Sequence, residues 1–144
     1  MEQFLVFLQK SPFNMLLFGL AIASGGMLIW PLVNGRLSRG RAIGTLAATQ
    51  LMNTQNPLLL DLRETKEVEG GKLPNAVHLP LSQLASRGAE LAKYVSRPVI
   101  AYCDRGQRGG SAAGALAKLG FKDIYHLQGG FKAWKDAGLP VSKP

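Results

Sequence analysis

Hydrophobic and polar positions divide the chain into two unlike parts. From Phe13 to Val33 the stretch "FNMLLFGLAIASGGMLIWPLV" carries no charged residue over 21 positions. At about 1.5 Å per residue, a helix of that length spans the roughly 30 Å hydrocarbon layer of a bilayer. The pattern therefore predicts a transmembrane helix over 13–33. Ser11 and Pro12 suit its N-cap and first helical position, and Trp30 lies near the far end, where amphipathic aromatics favour the interface. Residues 1–12 place Phe4, Leu5, Phe7 and Leu8 on one side and read as a short tail on the membrane surface. Residues 34–43, rich in Gly, Ser and Arg, read as a basic linker.

From residue 44 to 144 short apolar runs alternate with helical stretches. Thr45 is placed to cap a helix through "LAATQLMNT", which Asn56 and Pro57 end before the apolar run "LLLDL". Residues 76–79, 98–102 and 124–127 read as further strands. Helical segments are predicted over 81–94, with an interruption near Gly88, over 110–119, closed by Gly120, and over 131–137, closed by Gly138 and Pro140. Strands that are apolar throughout and separated by helices imply a parallel sheet covered on both faces. The fold class is α/β, one domain over 44–144 preceded by one transmembrane helix.

Charge orients this arrangement. Lys and Arg number 17 against 9 Asp and Glu, a net charge of +8. Arg36, Arg39 and Arg41 follow directly on the apolar run, whereas the tail before it has only Glu2 and Lys10. The positive-inside rule then predicts a single-pass protein of a bacterial inner membrane, with the lipid bilayer as partner and the C-terminal domain in the cytoplasm. Elsewhere no basic block is interleaved with aromatics, so no nucleic acid is expected as a partner. Two other readings of the run stay open: a signal peptide cleaved at Ala21-Ile22-Ala23, and a core helix. Gly19, Ala23 and Gly26 share one helical face, as do Ala21 and Gly25. Such stripes fit either weak homo-oligomerisation through the membrane helix or ordinary glycine tolerance there.

The chain has one cysteine, within "VIAYCDRGQRGGSAAGAL". One thiol excludes an internal disulfide framework, and with only His78 and His126 beside it the spacing offers no zinc site; neither metal nor cofactor is expected. Cys103 is the first residue past a strand, and parallel sheets bind ligands beyond the carboxyl ends of their strands. Asp104 to Gly109 must then turn sharply into a helix, and Gly106, Gly109 and Gly110 supply the backbone freedom. Loop and helix-start N–H groups would converge on one point and cradle an anion, stabilising a thiolate there. Arg105 and Arg108 act in the same direction and Asp104 against them. An average lone cysteine is a small buried hydrophobe; strand end, glycines, arginines and helix together read as a nucleophile's setting. His78 and His126 read as packing or surface residues, and Phe131 and Trp134 as core contacts of the last helix.

"CDRGQRG" resembles the active-site loop of rhodanese-like (sulfurtransferase) domains, whose usual form is Cys, two residues, Gly, one residue, Arg, then often Ser. "LLLDLRE", "GGKLPNAVHLP" and "LQGGFKAWKDAGLPV" resemble the same family in the same order, so the likeness runs from Gly44 to Val141. It implies a five-stranded parallel sheet flanked by helices and a sulfur transfer by way of a Cys103 persulfide. Sulfane sulfur would pass from thiosulfate or a related small anionic donor to cyanide, a thiol or a protein acceptor. On that resemblance Cys103 is the catalytic nucleophile, and Asp104, Arg105, Gly106, Gln107, Arg108 and Gly109 form the substrate-binding loop. Gly106 would permit the turn, Arg108 would hold loop and anion, and Asp61 with Arg63 would give structural support. Departures are Gly109 where Ser is frequent, Lys72 in place of His, Leu73 in place of Ile and Asn75 in place of Gly.

Two rival functions share the cysteine. A phosphatase or arsenate reductase also sets a thiolate in a loop of N–H groups with an arginine, but places five residues between Cys and Arg, where Cys103 and Arg108 have four. The shorter loop should crowd phosphate and suit a single sulfur. The other rival is a noncatalytic, membrane-tethered sulfur carrier or binding module.

Overall fold

The computed structural model describes residues 3, 6, 7, 11–38 and 40–144, with residues 31–38 described by backbone alone. It forms two compact units, residues 1–37 and 38–144.

In the first unit, helix α1 (Pro12–Ser38) starts where the sequence placed its cap, with the Phe13 N–H donating to Ser11 Oγ at 3.3 Å. Its segment Pro12–Trp30 is long and apolar enough to cross a membrane, and none of it is buried against protein. The helix continues through 34–38, which the sequence predicts as linker: Asn34 and Gly35 weaken a helix, but no proline follows to remove an intrahelical hydrogen bond. Of the predicted surface tail, Phe4, Leu5 and Leu8 lie outside the described residues.

The second unit holds β1 (Arg41–Ile43), α2 (Thr45–Gln55), β2 (Leu58–Asp61), α3 (Thr65–Val68) and β3 (Val77–His78). A 3₁₀ turn (Leu81–Gln83), α4 (Leu84–Arg87) and a second 3₁₀ segment (Gly88–Tyr94) follow, then β4 (Val99–Tyr102), α5 (Gln107–Leu119), β5 (Ile124–Leu127) and α6 (Gly130–Asp136). The five strands are parallel in the order β1-β5-β4-β2-β3, with Leu60 opposite Ala101 and Ala101 opposite His126. The fifth strand of the resemblance is β1, which takes residues 41–43 out of the predicted linker by pairing Arg41 with Tyr125.

Alternation along the central strands builds a core on each face of the sheet, as side chains two apart point the same way. Leu58, Leu60, Val99 and Ala101 pack with Leu84, Leu91, Ala112, Leu116 and Phe121. Leu59, Ile100, Tyr102 and Leu127 pack on the other face with Ala48, Phe131 and Trp134. At about 1.5–3 kcal/mol per fully buried large apolar side chain, both faces must be covered to offset chain entropy. Helix α2 opens on Gly44 rather than on a Thr45 cap, and Asn56 closes it in the left-handed conformation (φ 45°) ahead of Pro57. The sheet's function is to bring the ends of β2, β4 and β5 together at one edge.

Candidate functional site

Cys103 follows β4 at the carboxyl edge of the sheet. Its Sγ accepts the N–H of Gly106 at 3.0 Å and of Arg108 at 3.2 Å. Gly106 stands in the left-handed region (φ 93°), and a Cβ there would come within 2.8 Å of the Gly129 nitrogen. Glycine is thus required twice, for conformation and for close approach. The sequence reading began the following helix at residue 110, whereas α5 begins at Gln107. Arg108 and Gly109 are therefore in its first turn, where N–H groups have no intrahelical partner, and this frees the Arg108 N–H for the sulfur.

Residue Cys103 is 1% exposed, and it lines a cavity of about 240 Å³ together with Glu67, Asp104, Arg105, Gln107 and Arg108. The buried Cys103 thus forms part of the wall of a polar recess. Helix α6 closes the loop from behind: Phe131 N–H donates to the Cys103 carbonyl at 2.8 Å and Lys132 N–H to that of Asp104 at 3.0 Å.

The two loop arginines have different fates. Arg108 reaches across 41 residues to Glu67 and forms a bidentate pair, Nη1 to Oε2 at 2.9 Å and Nη2 to Oε1 at 2.6 Å. The Glu67 Oε2 also accepts the Glu64 N–H at 2.7 Å, closing a capping box at the start of α3. Hydrogen bonding from Arg108 holds the Glu67 carboxyl below its ordinary value of 4.5. A carboxyl lowered by folding adds stability above 4.5 that is lost as pH falls through its lower folded value. Arg105 is 77% exposed at the mouth, its Nε 3.8 Å from Asp104 Oδ2.

Behind the loop Asp61 and Arg63 form a buried pair, Nη2 to Oδ2 at 2.8 Å and Nε to Oδ1 at 3.0 Å. Tyr102 Oη–H donates to Asp61 Oδ2 at 2.8 Å and accepts the Leu73 N–H at 3.1 Å. Burial, and then the Asp61 charge, push the Tyr102 hydroxyl up, so it remains a donor. Arg63 also donates to the carbonyls of Glu67 at 3.1 Å and Gly71 at 2.7 Å, and lies 4.0 Å over the Phe131 ring. The pair thereby fixes α3, which carries Glu67.

The structure brings Asp104, Arg105, Gln107 and Arg108 to the cavity with Cys103, and sets Gly106 and Gly109 in the backbone that shapes it. Asp61 and Arg63 lie outside the lining. Sequence reasoning missed Glu67, whose one local signal, the capping-box spacing from Glu64, marks a helix start and says nothing of Arg108. His78 Nε2 lies 2.6 Å from the Arg63 carbonyl oxygen, and His126 packs beneath Gly109. Among the described residues no group of three His, Cys, Asp or Glu side chains is placed to hold a metal ion. Amide and guanidinium N–H groups around a thiol are a set that receives anions.

A family profile described as rhodanese-like domain matches residues 46–137. Uncharacterized protein YqhL of Bacillus subtilis is 46% identical over 76 residues, which are 53% of this chain and 59% of YqhL, so the chain spans less than two thirds of that relative. A sulfurtransferase of Allochromatium vinosum is 35% identical over 95 residues, 66% of this chain and 87% of that protein. Among solved structures, a rhodanese-related protein from Thermoplasma volcanium superposes with a TM-score of 0.62 at 27% identity, covering 70% of this chain and 96% of that one.

Proposed function

Since the chain belongs to the rhodanese-like domain family, whose profile covers residues 46–137, we propose that it is a membrane-anchored sulfurtransferase working through a Cys103 persulfide. The observation that carries this reading is the Cys103 sulfur accepting two amide N–H bonds at the wall of a polar cavity. Those donors stabilise negative charge on sulfur. In the first half-reaction the thiolate attacks the outer sulfur of a donor such as thiosulfate. A new S–S bond forms at Cys103 while the donor's own S–S bond breaks, and sulfite leaves with the electron pair. In the second, cyanide or a thiolate attacks the terminal persulfide sulfur and the Cys103 thiolate departs with its electrons. The same two N–H groups face an anion in both states. Four intervening residues between Cys103 and Arg108 favour a single sulfur over a tetrahedral phosphate in this cradle.

The apolar α1 supports the anchoring part, and the arginines after its apolar segment support a cytoplasmic domain. Tethering would keep sulfur transfer beside a membrane-borne supplier or user. Incubation of the protein with thiosulfate should add about 32 Da, one sulfur atom, to Cys103, and cyanide should then release thiocyanate. Cys103→Ser should do neither. A mass gain without turnover identifies a carrier; Cys103-dependent hydrolysis of p-nitrophenyl phosphate with no mass gain overturns the reading in favour of a phosphatase.

A further inference from the structure

The cavity's charged walls narrow the donor. Four charged side chains line it, two carboxylates (Glu67, Asp104) and two guanidinium groups (Arg105, Arg108), so they cancel. The cancellation is local as well as total. Arg108, the cation whose backbone holds the sulfur, has both terminal nitrogens committed to Glu67 at 2.9 and 2.6 Å. The pair is about a third exposed on each side, 32% for Arg108 and 34% for Glu67, so it stands in the wall of the recess and is not sealed in the core. Arg105 is near Asp104 at the rim. A dianion entering this recess sheds hydration and finds the charge of Arg108 already balanced by Glu67, whereas a donor of low charge sheds little.

Resting on the sulfur-transfer reading above, we propose that Glu67 is a specificity-determining residue. By balancing the charge of Arg108 it weakens the recess's attraction for dianionic, sulfonate-bearing donors and favours persulfides of small thiols that carry little net charge. With such a donor, RS–SH, the Cys103 thiolate attacks the outer sulfur. An S–S bond forms at Cys103, the RS–SH bond breaks, and RS⁻ leaves with the electron pair, one negative charge standing on each side of the step. Glu67 touches no reacting atom; it acts through Arg108.

The experiment compares cysteamine persulfide, whose ammonium balances the charge of its ionised persulfide, with thiosulfate as donors to the full chain in detergent, following the Cys103 mass gain and steady-state release to cyanide. Expected for the wild type is a kcat/KM at least tenfold higher with cysteamine persulfide. In Glu67→Gln, which keeps a carbonyl oxygen for the Glu64 N–H but removes the charge, KM for thiosulfate should fall at least fivefold. Its kcat should stay within twofold, and kcat/KM for the persulfide should hardly change. Glu67→Asp, which keeps the charge, should retain the wild-type donor preference. A merely structural role would lower kcat for both donors alike in Glu67→Gln, and that result, or an unchanged or raised KM for thiosulfate, overturns the proposal. A wild type that prefers thiosulfate overturns it without any variant. Failure of the underlying reading looks different: Cys103 gains no sulfur from either donor.

Discussion

Two glycines of α5, Gly109 and Gly114, would answer differently to the same added methyl group. A Cβ at Gly109 would lie 2.9 Å from His126 Cβ and 3.3 Å from the Ala101 carbonyl, while one at Gly114 would meet nothing within 4 Å. Gly114→Ala should therefore stabilise the domain by about 1 kcal/mol, the helix preference of alanine over glycine. Gly109→Ala should destabilise it, because overpacking of about 1–3 kcal/mol outweighs that preference. Urea midpoints moving in opposite directions confirm this; both moving upward refutes the close packing against His126. At this scale the sequence was legible where a residue's role is local. Cys103 after its strand and Gly106 in its turn could be read directly, whereas the Glu67 partnership with Arg108 depends on a fold that closes 41 residues.

Among elements, short α6 holds the loop in place. Its first N–H groups, left unpaired by helix geometry, bind the Cys103 and Asp104 carbonyls, and the chain enters through Gly129 (φ 70°) and Gly130 (φ 60°). A Cβ on Gly130 would collide with the Cys103 carbonyl oxygen itself. Gly138, after the same helix, has φ 69° but open space around it. The two positions separate backbone strain from damage to the site. Gly138→Ala should cost about 1–2 kcal/mol of stability and leave sulfur transfer per folded molecule unchanged. Gly130→Ala should cost more and slow persulfide formation even in the folded fraction, read by mass spectrometry beside the urea midpoint. Equal transfer rates in both variants would show that α6 does not position the sulfur. Elements with their own signature were readable: the apolar runs of β2 and β4, and α2 stopped by Asn56-Pro57. β1 was not, since three residues of pattern Arg-Ala-Ile become a strand only by pairing with β5. α3 was missed because four residues show no helical period, and α5 began three residues early because its glycines resemble loop.

For the molecule as a whole, the question is what covers α1. Its apolar surface stands open within the protein, with Met27 81%, Leu28 74% and Trp30 69% exposed. At roughly 25 cal/mol for each Å² of apolar surface kept from water, a helix about 40 Å long at 1.5 Å per residue requires an apolar medium or a partner. The domain from Ser38 onward is compact by itself and carries Cys103 and every cavity-lining residue. Deletion of residues 1–37 should therefore release a soluble protein whose kcat/KM for sulfur transfer stays within twofold of the full chain. The full chain should remain with the membrane fraction through a high-salt wash and an alkaline carbonate wash. Release by carbonate would mean that α1 lies on the membrane or packs on protein and does not span. A mature N-terminus just after Ala23 would make the apolar run a cleaved leader. If the run spans with the orientation that the positive-inside rule predicts, protease added outside sealed cells should spare the domain and, after lysis, degrade it; degradation before lysis would reverse the orientation without touching the chemistry of Cys103.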